Sequence, residues 1–500
     1  MSGTLVEIPP RPGLTAYEEV AHLAPAAERL RTRAAEVAPR LAGRTVWMVN
    51  SAAQGGGVAE MLPTLVTLLN ELGIATRWFV MASDEPAFFR LTKRIHNLIH
   101  GVGDPVLDDT ADRDLYERVN ALNAAALAPR LKDGDILVVH DPQPMAMAGM
   151  LRASRAVTAI WRCHIGLDES NDATRSAWSF LAPYAAHYDR AVFSAREYVP
   201  AMLRDRTRLI YPAIDPLSAK NQELHLHSVV GILANAALAV APGPVVQPAF
   251  PHIAQRLQSD GSWSAAVLPA DIGLLIRPVI TQISRWDRLK GWLPLLAGFA
   301  ALKERVYTDR NERPAVEHRR LRHVRLVLAG PDPASIQDDP EGLEVIEELR
   351  RAYVALDDEI KEDVAVLALP MEDLRHNALM VNALQRTATV LVQNSLREGF
   401  GLTVTEAMWK RIPVLSNSRA VGPRQQITHG RDGWLIEDPE SPAQLADALD
   451  FLLNSREQRR MLAQTAQRRA HDRFLVLSQL RDWLDLLQEL HPTAGLPAAG

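Results

Sequence analysis

The chain has 500 residues, too many for a single hydrophobic core, so about two to four domains are expected. Apolar residues make up 47% and charged residues 23%, the balance of an ordinary soluble globular protein, and a net charge of −5 excludes a basic nucleic-acid footprint. The single cysteine, Cys163, cannot form an intrachain disulfide, which fits a reducing, cytoplasmic setting.

The first residues carry Glu7 and a proline- and glycine-rich run at 9–13, so no secretory leader is expected. Strand and helix signals then alternate. "RTVWMVNS" (44–51) is a short apolar run with β-branched and aromatic residues and predicts a buried strand. "GGGVAEMLPTLVTLLNELG" follows, with Val58, Met61, Leu62, Leu65, Leu69 and Leu72 at helical spacing and Gly73 at the stop. Pro63 costs about 3 kcal/mol inside a regular helix, so this helix is expected to begin late or to kink. Further strands are predicted at "ATRWFVMA", "DILVVHD", "AVTAIWRCH" and "RAVFSA", with helices between them. This is the rhythm of a doubly wound parallel sheet.

After "LIYPAIDPLS" the rhythm breaks. Residues 220–271 are rich in Ala, Pro and Gly, show no clean period, and read as hinge plus insertion. Their apolar stretch "SVVGILANAALAVAPGPVV" is interrupted by Pro242 and Gly243. It falls short of the roughly 20 residues of a membrane span and reads as a buried or interdomain segment. The rhythm restarts with strands at "PVITQISR", "VRLVLAG", "DVAVLAL", "TVLVQNS", "PVLSNS" and "GWLIED". Helices are predicted at "WLPLLAGFAALKE", "ALMVNALQRTA", "TVTEAMWKR" and "SPAQLADALDFLLNS", the last with Ser441 as N-cap. A final helix is predicted at "RFLVLSQLRDWLDLLQEL", and the tail beyond it is expected to be disordered. The expected fold class is α/β, with two Rossmann-like doubly wound domains and a cleft between them. In such sheets ligands bind at the C-terminal ends of strands, where the strand order switches.

Several places could carry chemistry. Gly55, Gly56 and Gly57 lie between a strand and a helix, where they form either a tight turn or a backbone cradle for phosphate. Arg285 and Lys290 in "ISRWDRLKG" lie just past a strand and could neutralise a diphosphate or form a solvated basic turn. His164 and the pair His140–Asp141 end neighbouring strand signals, so that edge could line a site. Cys163 and His164 point to opposite faces of a strand, which argues against a Cys–His nucleophile. "DGD" (133–135) precedes its strand and so reads as a polar turn, not as a metal site. The richest stretch is "NSLREGFGLTVTEAMW", where Glu398 and Glu406 flank a strand–loop–helix junction with two glycines. Helix N-terminal amides could hold ligand oxygens there, and the carboxylates could accept from vicinal sugar hydroxyls.

"EGFGLTVTE" resembles the E-x7-E motif of retaining glycosyltransferases of GT-B architecture, glycosyltransferase family 4. Within that family "VNSAAQGGGVAEML", "HDPQP", "WRCHI", "YPAIDPLSAKN", "ISRWDRLK", "VNALQR" and "REGFGLTVTEAMWK" resemble the trehalose glycosyltransferring synthase subgroup, over residues 46–439. The resemblance implies catalytic roles for Arg285, Lys290, Glu398 and His164. Arg285 and Lys290 would bind a nucleotide-sugar diphosphate, and Glu406 the ribose. Glu398 and the amides of Gly399, Phe400, Gly401 and Leu402 would hold the donor sugar and nearby phosphate, with Thr403 beside them. His164 would meet the donor sugar near its 6-hydroxyl, and Gly55, Gly56 and Gly57 would face the diphosphate and acceptor. Asp141, His96 and Asn97 would contact the acceptor.

The implied domains are an acceptor-binding 1–215, a hinge and insertion 216–275, and a nucleotide-sugar-binding 276–470. A helix 471–492 would cross back to the first domain, ahead of a disordered tail 493–500. The implied co-substrate is ADP-, UDP- or GDP-glucose, with no required cofactor, no metal ligand set, and room for stimulation by Mg²⁺. Partners would be small sugars, without nucleic acid or membrane, and a homodimer is compatible. Two features depart from the subgroup: the length of 220–271, and Pro423 and Arg424 where a more glycine-rich turn is expected. The expected reaction is glucosyl transfer to glucose, giving trehalose. The alternatives are a different sugar or glycerate-type acceptor, a glycoside hydrolase using Glu398 and Glu406, and a non-catalytic sugar-nucleotide sensor.

Overall fold

A computed structural model of the chain describes residues 3–53, 57–107, 110–241, 249–308, 314–333 and 340–491. Gly55, Gly56 and the tail 493–500 lie outside these residues. The chain divides into two compact units, Met1–Asp215 with Arg473–Gly500, and Pro216–Asp472.

Among the described residues the first unit carries seven strands: β1 (Thr4–Leu5), β2 (Val46–Asn50), β3 (Thr76–Val80), β4 (Ile136–His140), β5 (Thr158–Cys163), β6 (Arg190–Phe193) and β7 (Thr207–Leu209). Their order is β1-β3-β2-β4-β5-β6-β7, parallel except for β1. The chain runs outward from β2 to β3 and then returns to β4 on the other side of β2. The switch in strand order therefore lies at the C-terminal ends of β2 and β4. Helix Gly57–Glu71 runs through Pro63, so its regular turns do not begin late. Its buried Leu62, Leu65, Val66 and Leu69 supply the apolar stripe that offsets the proline. Asp135 of "DGD" is buried and accepts from Thr45 N, Trp47 Nε1 and Lys132 N at 2.8, 2.9 and 3.0 Å. It is a turn staple at the start of β4.

The last helix, Val476–Leu490, belongs to the first unit. Ile214 and Leu475 form a parallel bridge, Arg33 pairs with Asp485 at 2.7 Å, and Gln479 Nε2 donates to Tyr211 O at 3.0 Å.

The second unit carries β8 (Gln255–Leu257), β9 (Trp263–Ala265), β10 (Val279–Ile283), β11 (Arg325–Pro331), β12 (Val364–Leu369), β13 (Val390–Val392), β14 (Val414–Asn417) and β15 (Trp434–Ile436). Their order is β15-β14-β13-β10-β11-β12-β8-β9, parallel from β15 to β12 with an antiparallel β8–β9 edge. The inner strands read as unbroken apolar runs because both faces are covered. Ile280, Leu326, Leu328, Val364 and Val366 enter one core, whereas Val279, Val327, Ala329, Ala365 and Leu367 enter the other. The switch here lies at the C-terminal ends of β10 and β13.

Residues 216–275 fold as part of this unit. Helix Leu226–Asn235 buries Val229, Ile232 and Leu233, and β8 and β9 extend the sheet. The helical period is diluted in sequence because small or polar residues, Gly231 and Asn235, occupy buried positions. No helix among the described residues is long and apolar enough to cross a membrane.

At the N-terminal ends of β11 and β12 Lys303 is fully buried. Its ammonium donates to Leu321 O and Arg322 O at 3.1 and 2.7 Å and pairs with Asp363 at 2.6 Å. Arg325 binds the same carboxylate. Asp363→Ala leaves two cations without their counter-ion and is expected to cost on the order of 3 kcal/mol, read as a lower urea midpoint for the second unit.

Candidate functional site

Both switch points are occupied by polar groups. In the second unit two loops leave the switch, 284–291 after β10 and 393–401 after β13. Leu396 N donates to Leu289 O at 2.7 Å, which ties the loops together. Gly291 allows that approach. It has φ 64°, and a Cβ there would lie 2.2 Å from Asn394 O, so a side chain would force the loops apart. Asp287 accepts from Leu289 N at 2.8 Å and Gln282 Nε2 donates to Lys290 O at 2.9 Å, which fixes the turn carrying Lys290.

The result is a direct ion pair, Lys290 Nζ to Glu398 Oε2 at 2.6 Å. The same carboxylate oxygen accepts from Ser395 Oγ at 3.0 Å and Gln393 Nε2 at 3.1 Å. Burial pushes the Glu398 carboxyl up, but the Lys290 ammonium and the Ser395 hydroxyl outweigh it and hold it below its ordinary value. Arg285 is exposed and near enough to favour the same ionised state. A glycosidase acid needs a raised pKa; Glu398 has the reverse.

Gly401, at φ 81°, caps the helix Leu402–Trp409, whose first turn carries Thr403. The first N–H groups of a helix have no partner within it, so those of Leu402 and Thr403 face the loop end. Gln426 Nε2 donates to Phe400 O and Gly401 O at 2.5 and 3.2 Å. Gly422 packs so closely that a Cβ would lie 2.4 Å from Phe400 Cα. Thus the segment with Pro423 and Arg424, short of glycine by comparison with the subgroup, forms a helix, Val421–Gln426, that braces the loop holding Gly399 and Phe400.

Glu406 lies on the helix at a separate position, 6% exposed. Gln385 Nε2 donates to its Oε2 at 2.8 Å, and Lys220 Nζ lies 3.9 Å from its Oε1. Lys410, 8% exposed, donates to Gln385 Oε1 at 2.5 Å and Asn221 Oδ1 at 3.0 Å. Burial pushes the Lys410 ammonium down to about 7, against the pull of Glu406. Gln385, Gln393, Ser395, Gln426 and Lys410 were not singled out by sequence. The one local signal was the polar run Gln393–Asn394–Ser395 directly after an apolar strand.

In the first unit Gly57 is exposed at the start of its helix, and a Cβ there would meet no described atom within 4 Å. Packing does not demand glycine at that position. His140 and Asp141 end β4, and His164 ends β5. His140 Nδ1 and His164 Nε2 lie within hydrogen-bond distance at 3.2 Å, with rings stacked at 11°. Asp141 Oδ1 accepts from His164 N at 2.9 Å, and its own carbonyl accepts from Trp161 Nε1 at 3.0 Å. Asp141 has φ 62°, the left-handed region, which an aspartate tolerates at some cost. Arg162, 1% exposed, pairs in register with His140 and donates to Ile210 O at 2.6 Å. Burial and this guanidinium lower both histidines, His140 to about 3, and keep them neutral.

Cys163 is buried and its Sγ–H donates to Ile165 O at 3.3 Å; burial pushes the thiol up, so it is no nucleophile. His96 and Asn97 lie in the last turn of helix Pro86–Ile99. Asn171 Nδ2 donates to Gly101 O at 3.0 Å, which ties that helix end to the segment after β5. Among the described residues no group of three or more His, Cys, Asp or Glu could hold a metal ion.

Burial raises Asp141 to about 6, with the His164 amide and Arg162 opposing. A carboxyl whose folded pKa exceeds its unfolded one takes up a proton on folding between the two values. Its ionisation therefore costs stability as pH rises through about 6 and costs nothing below its ordinary range. Asp141→Asn keeps the acceptor for His164 N and is expected to stabilise the chain at pH 7.5 by on the order of 1–2 kcal/mol. The gain should shrink toward zero near pH 4; thermal unfolding at the two pH values reads it, and an equal gain at both would refute the assignment.

Residues 48–200 match the family described as trehalose synthase, N-terminal domain, and residues 277–469 match glycosyl transferases group 1. The trehalose synthase of Pyrococcus horikoshii is 34% identical over 457 residues, which covers 91% of this chain and 92% of that one. That of Rubrobacter xylanophilus is 34% identical over 461 residues, covering 91% and 92%. In fold the chain is similar to an α,α-trehalose-phosphate synthase (UDP-forming) from Burkholderia xenovorans, solved in complex with glucose-6-phosphate. The TM-score is 0.63 at 17% identity, over 89% of this chain and 100% of that one. The two sheets are those of the GT-B architecture, and the chain belongs to the trehalose synthase family of glycosyltransferases.

Proposed function

We propose that the chain transfers glucose, with retention, from a nucleotide-diphosphate glucose to glucose and so forms trehalose. The observation that carries this reading is the Lys290–Glu398 pair beside exposed Arg285 at the switch of the second sheet. A hydrolase would have no use for two cations there; a departing diphosphate needs them.

The roles follow from the chemistry. Arg285 and Lys290 stabilise charge on the leaving diphosphate, and the start of helix Leu402–Trp409 adds backbone donors. Glu398, ionised, accepts from donor-sugar hydroxyls while it holds the Lys290 ammonium in place. Gly399, Phe400, Gly401, Leu402 and Thr403 line the donor loop, and Glu406 takes the ribose. In the first unit His164 is neutral and can donate or accept at the donor sugar; Asp141 accepts from the acceptor hydroxyl. His96, Asn97 and Gly57 complete the acceptor side. The anomeric C–O bond to phosphate breaks as the bond to the acceptor oxygen forms on the same face. The acceptor proton passes to the departing phosphate oxygen, and a nucleoside diphosphate leaves. No protein nucleophile is required.

A matrix of ADP-, UDP- and GDP-glucose against glucose, other sugars and glycerate, with products assigned by NMR, tests the reading. Nucleotide release dependent on glucose and a non-reducing disaccharide are expected. Transfer only to another acceptor would retain the family chemistry and discard trehalose as the product. Lys290→Ala is expected to lose roughly 100- to 1,000-fold in turnover while remaining folded. Near-wild-type rates in that variant would remove Lys290 from the diphosphate.

A further inference from the structure

Glu406 is held by a relay that begins at the start of the second unit. Residues 218–222 form a short strap just after the unit boundary at Asp215 and Pro216. Asn382 Nδ2 donates to Ala219 O and Gln222 O, both at 3.0 Å, and Arg386 Nη2 donates to Gln222 O at 2.9 Å. Trp409 Nε1 donates to Asn221 O at 3.1 Å. The strap is thereby fastened to helix Leu374–Thr387 and to the end of helix Leu402–Trp409.

Lys410 sits at the centre of these contacts. In its protonated form, below about pH 7, it can only donate, so both amides that meet it present oxygen. Asn221 does so, with its Nδ2 turned to Ser218 Oγ at 3.2 Å. Gln385 does so as well, at 2.5 Å, and its Nε2 is then obliged to point the other way, where it meets Glu406 Oε2 at 2.8 Å. The lysine therefore sets the orientation of a fully buried glutamine, and the glutamine fixes one oxygen of Glu406. The oxygen on the other side, Oε1, faces the strap at Lys220 and is the one left to a ligand.

We propose that Lys410 is a positioning residue for nucleotide binding. It locks the Gln385 amide so that Glu406 presents Oε1 to the two ribose hydroxyls of the donor. This rests on the proposed role of Glu406 at the ribose. Without the ammonium, Gln385 can turn its oxygen toward Glu406, where two acceptors repel, and the carboxylate loses its fixed rotamer. The charged groups packed around Lys410 are Glu406 on its own helix, Arg386 on helix Leu374–Thr387 and Lys220 on the strap.

The test is a ligand–protein cycle by calorimetry. ADP, UDP and GDP are each titrated with their 2′,3′-dideoxy forms into wild type and Lys410→Met. In the wild type, loss of the hydroxyls is expected to weaken the best nucleotide about tenfold or more. In Lys410→Met the ribose nucleotide is expected to weaken by about the same factor, with the dideoxy nucleotide unchanged, so the difference disappears. A merely structural lysine would weaken both nucleotides together, and that result overturns the proposal. If the wild type does not distinguish the two sugars, the ribose role of Glu406 falls and the proposal falls with it. If the wild type distinguishes them and Lys410→Met does so equally, Glu406 keeps its role and Lys410 loses its own. Should Lys410→Met fail to fold, Gln385→Leu cuts the same relay at its middle by removing the donor to Glu406 Oε2, and the same outcomes apply.

Discussion

The bond from Lys290 Nζ to Glu398 Oε2 closes two loops through residues 108 positions apart in sequence. The ion pair at 2.6 Å is one of several contacts that join these loops. Gly291 removes the side chain that would block the approach, Asn394 fastens both loops, and Gln426 holds the far end at Phe400 and Gly401. A rigid cation is also the better catalyst for phosphate departure, because its dipoles need no reorganisation as charge develops.

The first unit solves a different problem with related means. It buries a guanidinium, Arg162, behind two histidines and an aspartate at the ends of β4 and β5. A buried cation next to imidazoles keeps them neutral, and a neutral imidazole can both donate and accept. The same cation supports the Asp141 carboxylate, whose backbone is held in the left-handed region by bonds at its amide, carbonyl and side chain. Strain of about 1–3 kcal/mol persists only where such contacts over-determine it, and it clusters at working sites.

The inner strands of both sheets were legible because each is buried on two faces and so reads as an apolar run with β-branched residues, whereas the short outer strands β1, β7, β8 and β9 were not anticipated. The helix Arg456–Arg473 was not anticipated, because its mean composition is strongly polar and only Leu462, Ala463, Ala466 and Ala470 mark its buried side. Helix Leu226–Asn235 was missed for the complementary reason, small residues in a crowded core. At the candidate site, sequence pointed to polar groups that stand at the ends of strand signals or in the glycine-containing motif: Arg285, Lys290, Glu398, Glu406, His164 and Asp141. It did not point to Gln385, Gln393, Gln426 or Arg162. Their function is to orient another side chain across the fold, and no local period or spacing encodes such a contact.

That distinction also separates the two glutamates. In sequence they share a motif and suggest an acid and a base. In space each has its own support: Lys290 and Ser395 for Glu398, Gln385 backed by Lys410 for Glu406. A general acid must be able to hold a proton near neutral pH, and Glu398, with an ammonium at 2.6 Å, is the worse for it. Glu406 has one oxygen already committed to an amide, so it offers a ligand a fixed acceptor and not a mobile proton. Two carboxylates are thus clamped separately, one beside cations and one at the end of a hydrogen-bond relay, and under the proposed reading they grip two parts of one extended molecule. Under that reading the bond that breaks lies outside their charge, at the phosphate that Arg285 and Lys290 would receive.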